Sequence, residues 1–251
     1  MNRFADEHGF LVVYPEQAPN ANASKCRNWF KPQDQQRGAG EPALIAGIAR
    51  EAPNSAPDDP HCIFVAGLSA GAAMVVVLGE TCPELFAGVG VHSGLPYGSA
   101  HDIPSALAAM KGGRSGMPGL KSMPGEAIAL RKKAVQAVPI IVFHGDRDHT
   151  VQQSNGARIA RQAQAAHGAQ WGDAALRAST QAGVAAGGRR FSRTVHVDSQ
   201  GRAQIESWTL HGAGHAWSGG HASETYTNVT GPDASAEMVR FFLALPRADT
   251  A

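Results

Sequence analysis

Residues 62–77 read Cys62-Ile63-Phe64-Val65-Ala66-Gly67-Leu68-Ser69-Ala70-Gly71-Ala72-Ala73-Met74-Val75-Val76-Val77. An apolar run, Cys62 to Ala66, has the β-branched and aromatic content of a buried strand, and a helical run extends from Ala70 to about Glu80. Between them, Gly67-Leu68-Ser69-Ala70-Gly71 fits G-x-S-x-G, a sharp strand-to-helix turn that thrusts the serine hydroxyl out at its tip. Glycines flank such a turn because it is strained and backbone passes close on either side. The pentapeptide alone is a weak signal in a glycine-rich chain, but strand before and helix after are what the turn requires. Ser69 is therefore the candidate nucleophile.

Reading outward, Met1 to His8 carries a helical signal closed by Gly9, and Phe10-Leu11-Val12-Val13-Tyr14 is expected to be a buried strand before Pro15. Residues 15–40, rich in Pro, Asn, Gln and Gly, read as a long loop, and 41–50 as a helix with an early proline. Further strands are expected at Phe86–His92 and Val138–Phe143, and a helix over 153–166. Residues 168–189 are Ala/Gly-rich with little periodicity. Residues 191–197 and 203–210 flank Asp198-Ser199-Gln200-Gly201-Arg202 as a hairpin, and a last helix runs from Ala234 to Leu245. Strands alternating with helices predict one α/β domain over 1–251, its mainly parallel sheet covered on both faces. Residues 93–125, with many Gly, Pro, Ser and Met, break the pattern and predict a flap over one end of the sheet.

Composition narrows the function classes. The chain has 251 residues, 43% hydrophobic and 17% charged, with a formal net charge of +1. Scattered charges of both signs do not supply the positive field that a nucleic-acid partner requires. No apolar run reaches membrane-spanning length, and the first eight residues lack the apolar core of a secretion signal. Cys26, Cys62 and Cys82 are too few for a disulfide scaffold and form no C-x-x-C pair, so neither a metal centre nor a cofactor is expected. Strand and helix directions bring Cys62 and Cys82 to the bottom of the sheet, as a disulfide or as two buried thiols.

A serine nucleophile needs a base, and the base needs a carboxylate to fix its tautomer. The strand ending at Phe143 runs into His144-Gly145-Asp146-Arg147-Asp148-His149-Thr150-Val151, which puts two acids at the carboxyl edge of the sheet. Asp148 is preferred, with Asp146 as a loop cap or partner of Arg147. After the last strand, Trp208-Thr209-Leu210-His211-Gly212-Ala213-Gly214-His215-Ala216-Trp217 offers two histidines. His215 is preferred because neighbouring glycines let its loop bend back toward Ser69. A metal pair at His211 and His215 would need a helix, which Gly212 and Gly214 oppose. Trp29, Trp217, Leu95 and Tyr97 are candidates for apolar substrate contact, with core packing as the alternative.

With these residues in view, the chain resembles the polyhydroxybutyrate depolymerase family of secreted esterases, close to feruloyl and acetylxylan esterases and built on the α/β-hydrolase fold. The likeness rests on Cys26-Arg27-Asn28-Trp29-Phe30 with Asp34-Gln35-Gln36-Arg37-Gly38, on Ala66 to Gly71, on Gly90-Val91-His92-Ser93-Gly94-Leu95-Pro96-Tyr97-Gly98, and on Gly212-Ala213-Gly214-His215-Ala216-Trp217-Ser218-Gly219-Gly220. It implies Ser69, Asp148 and His215 as the triad, a small or polymeric hydroxyacyl ester as substrate, polyester degradation as the process and an extracellular setting. Feruloyl or acetylxylan-type carbohydrate esters are the alternative substrates. Family members carry, ahead of the helix that here begins at Met1, a strand ending in a His-Gly-Cys turn. The chain is therefore expected to be N-terminally truncated, with a gap in the sheet between residues 10–14 and 62–66. That turn supplies one oxyanion donor in the family and Ala70 N–H the other, so an inactive fragment is a further alternative. Its cysteine is the family's implied partner of Cys26, which is expected here to stand alone.

Overall fold

The computed structural model describes residues 1–52, 62–113 and 136–246. Its first elements are α1 (Asn2–His8) and α2 (Gly40–Glu51), joined by a long loop that contains one 3-10 turn at Pro32–Gln35. Next come β1 (Phe64–Leu68), α3 (Ala70–Thr81), β2 (Gly88–His92), α4 (Ile103–Met110) and β3 (Ile140–Gly145). Then follow α5 (Ser154–Trp171), the strands β4 (Arg177–Val184), β5 (Arg190–Val197) and β6 (Ala203–Leu210), a small pair β7 (Trp217–Ser218) and β8 (Thr227–Asn228), and α6 (Ala234–Leu243).

Six strands form one sheet in the order β1-β2-β3-β6-β5-β4. The first four run parallel, and β5 and β4 are added antiparallel. Every residue of β2 and β3 is buried, as parallel strands covered on both faces must be. Alternation along β3 divides the core. Ile140 and Val142 join Val75 and Val76 of α3 and Ile159 of α5, while Ile141 and Phe143 join Met238, Phe241 and Phe242 of α6 on the opposite face. A third cluster packs Met74, Val77 and Leu78 of α3 against Ile45 of α2 and the segment around Leu95. Because four neighbouring strands share one direction, their carboxyl ends share one rim, and the residues following β1, β2, β3 and β6 meet there.

The structure departs from the sequence expectations in three places. Residues 10–14 join no ladder, and Leu11, Val13 and Tyr14 are exposed, because no strand lies beside this run at the ~4.8 Å spacing that pairing requires. The expected gap is likewise absent: the six strands pair without interruption, and β1 is an edge of the sheet. Within the featureless 168–189 stretch, residues 177–184 form β4, which pairs with β5 along its full length although its side chains are mostly exposed. Of the 93–125 segment, residues 93–113 pack through Leu95, Ala100, Ala106 and Ala109, and 114–125 lie outside the described residues. Cys26, Cys62 and Cys82 form no disulfide with one another. No helix among the described residues is long and apolar enough to cross a membrane.

Candidate active site

Ser69 stands between β1 and α3 with φ 56° and ψ −119°, a strained conformation for a residue with a side chain. Two backbone bonds hold it there: its N–H donates to the His92 carbonyl across 3.0 Å, and its own carbonyl accepts from Ala73 N–H at 2.9 Å. The turn is so tight that a Cβ on Gly67 would lie 2.5 Å from the Gly71 carbonyl carbon. Ala70 opens α3, and no side chain caps the N-terminus of that helix, so its first N–H groups stay available to a developing negative charge. Ser69 Oγ makes no hydrogen bond among the described residues.

The loops after β3 and β6 are joined through their backbones. Asp146 N–H donates to Leu210 O at 3.2 Å and Arg147 N–H to Ala213 O at 3.0 Å. Contact is close enough that a Cβ on Gly145 would fall 2.3 Å from Ala213 O. This juxtaposition sets the side chain of Asp148 against His215, with His215 Nδ1 donating to Asp148 Oδ2 at 2.7 Å. The other carboxylate oxygen accepts from Thr150 N–H at 2.9 Å and Val151 N–H at 2.8 Å. The Asp148 side chain is 0% exposed and that of His215 14%. Burial pushes the Asp148 carboxyl upward, but the His215 bond, the Val151 amide and the nearby imidazoles outweigh it and hold the pKa below the usual carboxylate value. An ionised Asp148 fixes the proton of His215 on Nδ1 and leaves Nε2 as the basic lone pair.

The two acids and two histidines weighed in the sequence form two pairs, the preferred Asp148 with His215 and Asp146 with His211. Asp146 Oδ2 accepts from His211 Nδ1 at 2.9 Å, and its Oδ1 accepts from Gly212 N–H at 2.6 Å. His211 Nε2 lies 2.9 Å from Ser192 Oγ on β5. In the strand order β5 is four places from β1, so His211 turns away from the Ser69 turn. The segment after His215 instead returns to β2, where Ser218 N–H bonds His92, the residue whose carbonyl holds Ser69.

His92 has no role in the sequence reading beyond membership of a quoted motif. It ends β2, between the strands that carry Ser69 and Asp148, and is 0% exposed. Its Nε2 accepts from Ser218 N–H at 3.0 Å, so the ring proton sits on Nδ1, 3.2 Å from Ser93 Oγ. The ring stacks between Trp217, at 5.2 Å, and Phe143, at 5.8 Å. Burial first, then the neighbouring His144 and His215, lower its pKa to about 3 against a smaller opposing pull from Asp148. A histidine at the end of an apolar strand run is the only sequence signal that could have pointed to it. His144 lies 2.8 Å through Nε2 from Val151 O, and so fastens the turn whose amides hold Asp148.

Of the four residues considered for substrate contact, Trp29 and Leu95 belong to the core, at 6% and 1% exposure. Tyr97 is partly buried and donates through its hydroxyl to Gln35 O at 2.9 Å. Trp217 is partly buried against His92, with Nε1 donating to Ser235 Oγ at 3.1 Å. Among the described residues no three His, Cys, Asp or Glu side chains are grouped to hold a metal ion.

Residues 1–186 match the family model described as "Esterase PHB depolymerase". Poly(3-hydroxyalkanoate) depolymerase C of Paucimonas lemoignei is 32% identical over 213 residues, which cover 83% of this chain and 48% of that protein. Poly(3-hydroxybutyrate) depolymerase of Ralstonia pickettii is 26% identical over 230 residues, covering 90% and 44% respectively. The chain thus spans about half the length of these curated relatives. Among solved structures, an acetyl xylan esterase from Aspergillus awamori superposes with a TM-score of 0.60 at 17% identity, over 91% of this chain and 82% of that one. At that identity the likeness establishes the α/β-hydrolase fold.

Proposed function

Because the chain belongs to the esterase PHB depolymerase family, we propose that it is a serine carboxylic-ester hydrolase acting on short hydroxyacyl esters, with Ser69, His215 and Asp148 as its triad. The observation that carries this reading is the buried Asp148–His215 hydrogen bond of 2.7 Å on the rim where the strained Ser69 turn also lies. His215 Nε2 takes the proton from Ser69 Oγ as that oxygen bonds to the ester carbonyl carbon. Negative charge gathers on the carbonyl oxygen, toward Ala70 N–H, while ionised Asp148 stabilises the imidazolium. The ester C–O bond then breaks, and His215 gives its proton to the departing alcohol. Water, deprotonated by His215, adds to the acyl carbon; the Ser69–acyl bond breaks, Ser69 Oγ recovers the proton, and a carboxylic acid leaves.

The substrate class follows the names of the relatives, both depolymerases of poly(hydroxyalkanoate) polyesters. An extracellular role for one catalytic domain belongs to the same proposal, supported by the family likeness alone. The alternative, an esterase acting on acetyl or feruloyl groups of carbohydrate, keeps the triad and changes only the acyl and alcohol pockets. Hydrolysis of a chromogenic butyrate ester by the wild-type chain and by Ser69→Ala tests the nucleophile, and equal rates would remove Ser69 from the mechanism. Release of soluble acid from poly(3-hydroxybutyrate) or of acetate from acetylated xylan then separates the two substrate classes.

A further inference from the structure

On the β5 side of the same rim lies an open cleft of about 510 Å³, its wall formed by Asp146, Arg147, Arg189, Arg190, His211 and a glycine-rich turn. Three arginines and one aspartate line it. That carboxylate is already occupied, since Asp146 accepts from His211 and from Gly212 N–H. Among the described residues, Arg147, Arg189 and Arg190 enter no ion pair. Arg189 is held in place by neutral acceptors only, with Nη1 donating to His211 O at 2.9 Å and Nε to Thr230 Oγ1 at 3.0 Å. A guanidinium fixed by carbonyl and hydroxyl oxygens is oriented without being neutralised, so its remaining N–H groups favour an anion in the cleft.

The shape of the cleft suits a small flexible acid. Gly187, Gly188 and Gly212 line it without a side chain, which leaves its mouth open. Its walls are also the site's own loops: Arg147 directly precedes Asp148, and His211 precedes His215 by one turn of chain. Ester hydrolysis of a hydroxyacid chain leaves a carboxylate on each released product and at one end of every remaining oligomer.

We propose that this cleft binds the carboxylate of a hydroxyacid, either the free end of an oligomeric ester or the released acid itself, through Arg147, Arg189 and Arg190. The proposal deepens the esterase reading and rests on it for the substrate class. It gives the protein a preference for acid-ended oligomers over esterified ones, because a carboxylate anchored at the cleft lays the adjoining ester units along the rim toward Ser69.

The test compares the free-acid trimer of 3-hydroxybutyrate with its methyl ester, using kcat/KM on the same preparation. The expected result is a preference of about tenfold for the free acid, the size of one charge-assisted contact, reduced to near unity in Arg190→Glu and in Arg147→Gln. The ratio is internal to each variant, so a uniform loss of activity does not affect it, and thermal unfolding confirms that each variant is folded. Calorimetric titration of Ser69→Ala with 3-hydroxybutyrate and with the acid trimer identifies the source. Equal affinity points to the released acid, and tighter trimer binding to the chain end. Equal rates on acid and methyl ester together with no binding of either acid would overturn the proposal, as would a preference that survives Arg190→Glu. Hydrolysis of the chromogenic butyrate ester reports on the esterase reading separately, since that ester carries no carboxylate.

Discussion

The amide of Ser218 donates to Nε2 of His92 across 3.0 Å, tying the loop that follows His215 to the end of the strand next to Ser69. An amide nitrogen can only donate, so the bond exists only while this imidazole nitrogen is unprotonated. His92 is thus a neutral post on which the loop after His215 rests through one hydrogen bond and through the Trp217 stack at 5.2 Å.

Replacing His92 by Ala removes a buried ring and leaves Ser218 N–H without its acceptor. Unfolding in urea is expected to show a loss of about 2–4 kcal/mol, combining the cavity with the unsatisfied amide. Turnover should fall through kcat more than KM, because the loop carrying His215 shifts. A loss of stability under 1 kcal/mol would mean that the loop does not depend on this post.

His92 also makes stability depend on pH. Its pKa is lowered from 6.5 unfolded to about 3 folded, so above pH 6.5 both states are neutral and nothing is lost. As pH falls from 6.5 toward 3, the unfolded chain binds a proton that the folded ring refuses, and stability drops. Between pH 7 and pH 5 the stability advantage of wild type over His92→Gln should shrink by about 2 kcal/mol. Parallel curves for the two proteins would show that His92 is not the titrating group.

The two acid–histidine pairs make separable predictions. Asp148→Asn removes the negative charge that fixes the His215 tautomer and is expected to lower kcat by about 10⁴-fold, as in other triads. Asp146→Asn disturbs His211 on the β5 side and should cost less than about tenfold in kcat on a chromogenic butyrate ester. Steady-state kinetics on both variants decide the assignment, and a reversed order would move the active pair to Asp146 and His211.

Gly145 is the point where the two loops touch, with Ala213 O only 2.3 Å from the position of an added Cβ. The obstruction is the Ala213–Gly214 backbone, which cannot swing aside as a side chain would, so Gly145→Ala should destabilise by about 3 kcal/mol or more and weaken the bond between Arg147 N–H and Ala213 O. Gly214→Ala is the control, since its nearest atom stands 3.9 Å away. Thermal unfolding of the pair measures the difference.

Much of the fold was legible because its signals are local. The Ser69 turn sits between a strand run and a helix run, and the 198–202 turn between two strand runs becomes the β5–β6 hairpin. What was illegible depends on partners distant in sequence. Residues 177–184 are mostly exposed and carry no apolar face, so only the ladder offered by β5 makes them a strand. Residues 10–14 have the pattern of a strand and no neighbour to pair with. The sequence favoured Asp148 over Asp146 and His215 over His211, but that Asp146 and His211 form a second pair depends on which side of the rim each loop faces. Spacing alone cannot supply that, because either combination satisfies the order acid then base. The cleft was invisible for the same reason, since Arg147 and Arg189 come to one wall only through the side-by-side pairing of β3, β6 and β5.

The backbone stitching of the β3 and β6 loops means that Asp148 and His215 travel as one body. Any shear between the outermost strand β1 and the interior of the sheet leaves the Asp148–His215 distance unchanged and alters only the reach of the Ser69 hydroxyl. Under the proposed triad, competence reduces to a single adjustable gap, and a ligand or mutation far from the rim would act on turnover by sliding one strand rather than by dismantling three partners.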